Sequence, residues 1–169
     1  MIPAAYVYLL KDGEVLLQQR KGTGYMDGMW VAGAAGHIEL GETAAATAVR
    51  EAREELGVEV RAEDLRSATV MQRTDGTSNP IEQRADWFFT VSRWHGEPAV
   101  MEPHKCAAVR WFSLNDLPDA VPAYERLVLD GLASGVLAAV TSHGFPDTSW
   151  RQTLGCRPQR MIVNSKCLP

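Results

Sequence analysis

Three observations predict an α/β fold. Residues 44–56 contain no Gly or Pro and are dominated by Ala, Glu and Arg, all good helix formers. Runs rich in apolar, β-branched and aromatic residues lie on both sides of that stretch, as strands should. A second helical period follows Pro122, so strands and helices share one chain. The chain has 169 residues, enough for one domain with a sizeable core. The sequence divides into a domain at 1–140 and a basic C-terminal tail, 141–169, whose role cannot be read.

Each element has a local reason. Residues 2–10 and 14–20 are apolar runs separated by Lys11-Asp12-Gly13, a hairpin signal. Residues 21–29 form a Gly-rich loop with no Gly-Lys-Ser/Thr to close a phosphate loop of the Walker kind. Trp30 to Ala32 is a short strand. Gly33 to Gly36 is a small-residue approach to the helix, through which backbone can come close to a ligand. In the helix Thr43 serves as cap, and Ala45, Ala48, Val49, Ala52 and Leu56 share one face, before Gly57 ends it. Residues 65–74 and 86–94 read as strands around a polar loop at 75–84, and 109–112 as another. Residues 122–135 read as the second helix, on a period of Val121, Leu127, Val128, Leu132 and Val136, covering the opposite sheet face.

Composition excludes some functions. A net charge of −4 and a pI of about 5.6 give no basis for broad binding to nucleic acid or to an anionic membrane. The longest apolar stretch, 127–140, contains Asp130 and is too short to span a bilayer. No segment has the order of a signal peptide, and Cys106, Cys156 and Cys167 have no metal-type spacing. The expectation is a cytoplasmic protein with reduced cysteines, monomer or homodimer.

The chemistry concentrates in the helix. Glu51, Glu54 and Glu55 stand at i, i+3 and i+4, and like charges one turn apart repel by a few tenths of a kcal/mol per pair. Such a group is either a solvated acidic face, partnered by Arg50 and Arg53, or a seat for a hard divalent cation that wants oxygen ligands. The wider spacing favours the second reading. Gly36, Glu42, Arg50, Glu51, Ala52, Glu54, Glu55, Gly57 and Val58 fill every position of G-x5-E-x7-R-E-U-x-E-E-x-G-U, with U apolar. This resembles the signature of the Nudix hydrolases. Seven positions demand one residue type, so a chance match is on the order of one in a million.

The resemblance implies a Nudix-type α/β/α sandwich with a mixed β-sheet. It implies Mg2+- or Mn2+-dependent cleavage of a phosphoanhydride in a small phosphorylated substrate, a nucleotide first of all. Glu54 and Glu55 would be the principal metal carboxylates, joined by the carbonyl of Ala35. Relatives commonly carry Pro-Gly-Gly at this approach, where this chain has Ala32 to Ala35. The run Arg93-Trp94-x-Gly96-Glu97-Pro98-x3-Glu102 resembles a segment of MutT-type enzymes, which adds Glu102 to the metal site. Glu51, one turn before Glu55, would either bind the metal as well or accept the proton of the attacking water, with Glu102 the other candidate for that base. Arg50 and Glu42 would orient Glu51; Gly36, Gly41 and Gly57 would serve backbone geometry.

In the same enzymes, closest to the MutT-type nucleoside triphosphate pyrophosphohydrolases, an Arg at the position of Arg20 contacts phosphates. An isolated strand-end Arg is otherwise a surface charge, and a guanidinium suits phosphate oxygens. The position that reads an oxidised purine there is Tyr124 here, within Val121-Pro122-Ala123-Tyr124-Glu125. A phenol cannot reproduce the paired readout of an amide, so no strong preference for an oxidised guanine nucleotide is expected. The leading activity is conversion of a nucleoside triphosphate to monophosphate and pyrophosphate. Nucleotide sugars, dinucleoside polyphosphates or a non-nucleotide diphosphate are alternative substrates, and a non-catalytic nucleotide sensor is the alternative class.

Overall fold

A computed structural model describes residues 1–145; Cys156, Cys167 and the rest of the tail beyond 145 lie outside the described residues. Strand β1 (Ile2–Lys11) turns at Asp12-Gly13 into β2 (Glu14–Arg20). Both turn residues have positive φ, 52° and 81°, which matches the twist of the paired strands. On its other side β1 runs parallel to β6 (Arg84–Val91), which pairs antiparallel with β5 (Arg66–Arg73). β8 (Val140–His143) lies parallel on β5 and carries the sheet past residue 140. β2 is flanked by β3 (Trp30–Ala32) and β7 (Cys106–Ser113), both antiparallel. β4 (Ala34–His37) runs against the first half of β1, with Tyr6 opposite Ala35. The result is one mixed eight-stranded sheet.

Two helices cover its two faces. Side chains alternate along β1, so Ala5, Val7 and Leu9 point one way and Ala4, Tyr6 and Tyr8 the other. Helix α1 (Ala44–Leu56) lays Ala48, Ala52 and Leu56 on the first set. Helix α2 (Ala123–Ser134) lays Tyr124, Val128 and Leu129 on the second, together with Met71 and Phe88. A fully buried Leu such as Leu56 contributes about 1.5–3 kcal/mol by leaving water. The Thr43 hydroxyl accepts the Ala46 N–H at 3.1 Å, and Gly57 closes the helix at φ 70°. These layers form the predicted α/β/α sandwich.

Two local readings change. Gly33 to Gly36 is not merely an approach: β4 forms there because β1 offers it a ladder, although Ala and Gly have little strand preference. In α2 the packed stripe is Tyr124, Val128 and Gly131 with Glu125 and Leu129, while Leu127 and Val136 face solvent. Pro122 sits at the cap, and Val136 lies beyond Gly135, which ends the helix, so one helical period does not run from 121 to 136.

Candidate metal and phosphate site

The site is assembled by α1 and the two segments packed on it. Glu42, in the loop before the helix, is held from three sides. Arg50 grips it with Nε at 2.8 Å and Nη2 at 3.0 Å, Thr47 donates its hydroxyl at 2.8 Å, and the Glu39 N–H donates at 3.2 Å. These bonds, the Arg50 ones foremost, pull the Glu42 carboxyl down to about 2. Arg50 also donates Nη2 to the His37 carbonyl at 3.2 Å and Nη1 to Glu51 at 2.6 Å and Glu54 at 3.2 Å. One guanidinium therefore ties the loop, β4 and two of the three helix carboxylates together.

Glu51 is buried against β4. A Cβ on Gly36 would stand 1.8 Å from Glu51 Oε1, so only glycine leaves room for this carboxylate. Burial pushes its carboxyl up, and Arg50 opposes the shift. Glu55 lies deeper: its Oε2 accepts from Gln18 Nε2 at 2.8 Å and from the Ala35 N–H at 2.9 Å. Burial pushes it up to about 7, and the charges of Glu51 and Glu102 add to the rise. Glu102 arrives from the loop after β6, which is pinned to the end of α1. The Ala99 N–H donates to the Leu56 carbonyl at 3.0 Å and the Met101 N–H to the Glu55 carbonyl at 3.3 Å. Lys105 Nζ then touches both Glu102 oxygens, at 2.9 and 3.0 Å.

Among the described residues, no three His, Cys, Asp or Glu side chains converge into a ready metal cage. The donors present nonetheless fit a hard cation. They are all oxygens, Glu51 fills the room left by Gly36, the charges of Glu51 and Glu102 reach Glu55, and cationic side chains already neutralise Glu51, Glu54 and Glu102.

A cleft of about 450 Å3 opens beside the cluster on the α2 face of the sheet. Gln18, Ala35 and Gly36, which touch Glu55 or Glu51, also line it. Arg20 lines it from the end of β2, with Nε donating to the Tyr25 carbonyl at 2.9 Å and Nη2 to the Thr23 hydroxyl at 3.1 Å. Asp27 braces the same Gly-rich loop by accepting from Thr23 and Gly24, which holds its carboxyl low. Tyr124 lines the far wall. It is 6% exposed, packs edge-on against Tyr6, and has the Arg73 guanidinium 3.9 Å above its ring. Arg73 is paired in the core with Asp86 at 2.8 Å. Next to Tyr124, Glu125 is wholly buried; it accepts from the Tyr8 hydroxyl at 2.9 Å and the Ala32 N–H at 2.6 Å.

Arg20, Ala35 and Tyr124 thus line the cleft, while Arg50, Glu51, Glu54, Glu55 and Glu102 stand behind its Gln18, Ala35 and Gly36 wall. Sequence reasoning passed over Gln18, Lys105, Arg73 and Glu125. Of these only Lys105 left a signal, as a cation three residues after Glu102. Gln18 reaches Glu55 only because β2 and α1 meet in space.

A family model described as the NUDIX domain matches residues 2–130. The isopentenyl-diphosphate Delta-isomerase of Jannaschia sp. (strain CCS1) is 33% identical over 124 residues, covering 71% of this chain and 68% of its own. That of Cereibacter sphaeroides (strain ATCC 17025 / ATH 2.4.3) is 31% identical over 115 residues, covering 68% and 64%. Among solved structures, a MutT NUDIX hydrolase from Burkholderia pseudomallei superposes with a TM-score of 0.63 at 26% identity, covering 76% of this chain and 95% of that one.

Proposed function

From the premise that this chain belongs to the Nudix family, we propose that it is a divalent-cation-dependent hydrolase of a phosphoanhydride in a small phosphorylated substrate. The favoured reaction is a nucleoside triphosphate giving a monophosphate and pyrophosphate. The observation that carries this reading is the closeness of Glu51, Glu54, Glu55 and Glu102, whose charges act on one another, behind the Gln18 and Ala35 wall of a cleft that Arg20 lines. These carboxylates, with the Ala35 backbone, would hold Mg2+ or Mn2+. The ion would neutralise phosphate oxygens and make bound water a better nucleophile. Arg20 would bind the phosphate tail, and Glu51 or Glu102 would accept the proton of the attacking water. Arg50 holds Glu51 in position, and Glu42 holds Arg50.

Tyr124 supports the expected indifference to an oxidised guanine. Its ring is walled by Tyr6 and Arg73, so it offers no amide-like edge to a base. A second reading rests on the two curated relatives, whose names specify isopentenyl diphosphate: the substrate would then be a non-nucleotide diphosphate.

One experiment separates these. The protein is incubated with Mn2+ or Mg2+ and a panel of nucleoside triphosphates, 8-oxo-dGTP, nucleotide sugars, dinucleoside polyphosphates and isopentenyl diphosphate, with products identified by mass and by proton NMR, which also registers an isomer of unchanged mass. Hydrolysis of a triphosphate to monophosphate and pyrophosphate, lost in chelator and reduced a hundredfold or more in Glu55→Gln, is the expected result. Turnover in chelator, or a Glu55→Gln rate equal to wild type, defeats the proposal. Turnover of isopentenyl diphosphate alone selects the second reading.

A further inference from the structure

We propose that Lys105 stands in for the divalent cation in the metal-free protein and passes from Glu102 to a substrate phosphate once the cation arrives. The inference rests on reading the four glutamates as a cation site. Two positive side chains cover three of those carboxylates, Glu51, Glu54 and Glu102, and they differ in how tightly they are held. Arg50 is locked: besides Glu51 and Glu54 it grips Glu42 twice and donates to the His37 carbonyl. Lys105 is not. Among the described residues its ammonium bonds only Glu102, at 2.9 and 3.0 Å, and its side chain is 52% exposed. Of the two, the lysine is the one a competing cation can displace.

The backbone fixes where the displaced ammonium can go. The N–H groups of Lys105 and Cys106 both donate to the Glu102 carbonyl at 2.9 Å, so the two side chains leave one tight turn. That turn is fastened to the loop that follows Arg20. The Lys21 N–H donates to the Lys105 carbonyl at 2.8 Å, and a Cβ on Gly22 would come within 2.9 Å of the His104 carbonyl. Lys105 therefore sits between Glu102 and the end of β2, where Arg20 lies opposite Cys106 and lines the cleft. A flexible stem with a compact charge suits a group that changes partner, and an ammonium binds phosphate well. Metal loading and phosphate capture are coupled by this exchange: the ion releases the lysine, and the released lysine adds one more positive charge for the incoming anion.

The test uses the full chain stripped of metal with chelator. Free Mn2+ is followed by electron paramagnetic resonance during titration of wild type, Lys105→Met and Lys11→Met. The last removes the same charge from the hairpin end of β1, away from the cleft. Pyrophosphate binding is then measured by calorimetry at saturating Mn2+. Lys105→Met should bind Mn2+ about tenfold more tightly, and pyrophosphate about tenfold more weakly, while Lys11→Met matches wild type in both. Equal Mn2+ affinity in Lys105→Met and wild type overturns the inference, as does the same gain in Lys11→Met or an undiminished affinity for pyrophosphate. A wild type that binds no Mn2+ instead overturns the cation-site reading itself, a result distinct from the others.

Discussion

Gly36 shows how much a single absent side chain can set. Its missing Cβ is the space that Glu51 occupies, and an added methyl would overlap Oε1 at 1.8 Å. Gly36→Ala should therefore push the Glu51 carboxylate out of place while the sheet persists. We expect kcat/KM to fall by about a hundredfold, the cost typical of misplacing a catalytic group by about 1 Å, with a circular dichroism spectrum like that of wild type. A Gly36→Ala enzyme of normal activity would show that Glu51 is not held by this contact. Spacing in the sequence already marked Gly36, Arg50 and Glu51. It did not reveal that glycine and glutamate touch. Nor did it reveal Gln18, which on a strand read by alternation is only another polar residue. Its role exists because Glu55 sits within 2.8 Å of its amide, a distance set by packing between β2 and α1.

Helix α1 is the element on which the site depends, and its two ends were legible for local reasons: a hydroxyl that caps and a glycine that takes left-handed φ. β4 was not legible, since small residues pair there only because β1 is adjacent, and the face of α2 was misjudged because its cap falls at Pro122. The C-terminal end of α1 has a further task. Gly57 leaves room for Met101, whose sulfur would lie 3.0 Å from an added Cβ, and the Met101 N–H bonds the Glu55 carbonyl. Gly57→Ala should cost about 1 kcal/mol from the left-handed backbone. It should also shift the loop that delivers Glu102. A melting temperature lowered by about 2–4 °C, together with weakened Mn2+ binding, is the outcome to look for. Lowered stability with Mn2+ affinity intact would mean that the loop does not depend on the cap.

The stability of the whole molecule should carry the signature of Glu125. Burial raises its carboxyl from 4.5 to about 7, against the opposing bonds from Tyr8 and Ala32, and its Oε1 has no hydrogen-bond partner. Between those values the folded protein binds a proton that the unfolded chain releases. The stabilising contribution is thus complete below about pH 4.5 and is lost as pH rises through 7. Glu125→Gln should flatten the fall in unfolding free energy between pH 5 and pH 8 by on the order of 2 kcal/mol, read from urea denaturation at each pH. Parallel pH profiles for the two proteins would assign that fall to other groups. The described residues contain no helix long and apolar enough to cross a membrane.

The carboxylates stand on a helix packed on one side of the sheet, while the far wall of the cleft is built from Tyr124 and Arg73 on the other side. An engineer could therefore randomise the rim positions Tyr25, Met26 and Ile81, which also line the cleft, without touching any residue that packs against α1. Libraries at those three sites should yield many folded, cation-binding variants with altered diet, whereas libraries within the 36–57 segment should yield mostly inactive clones.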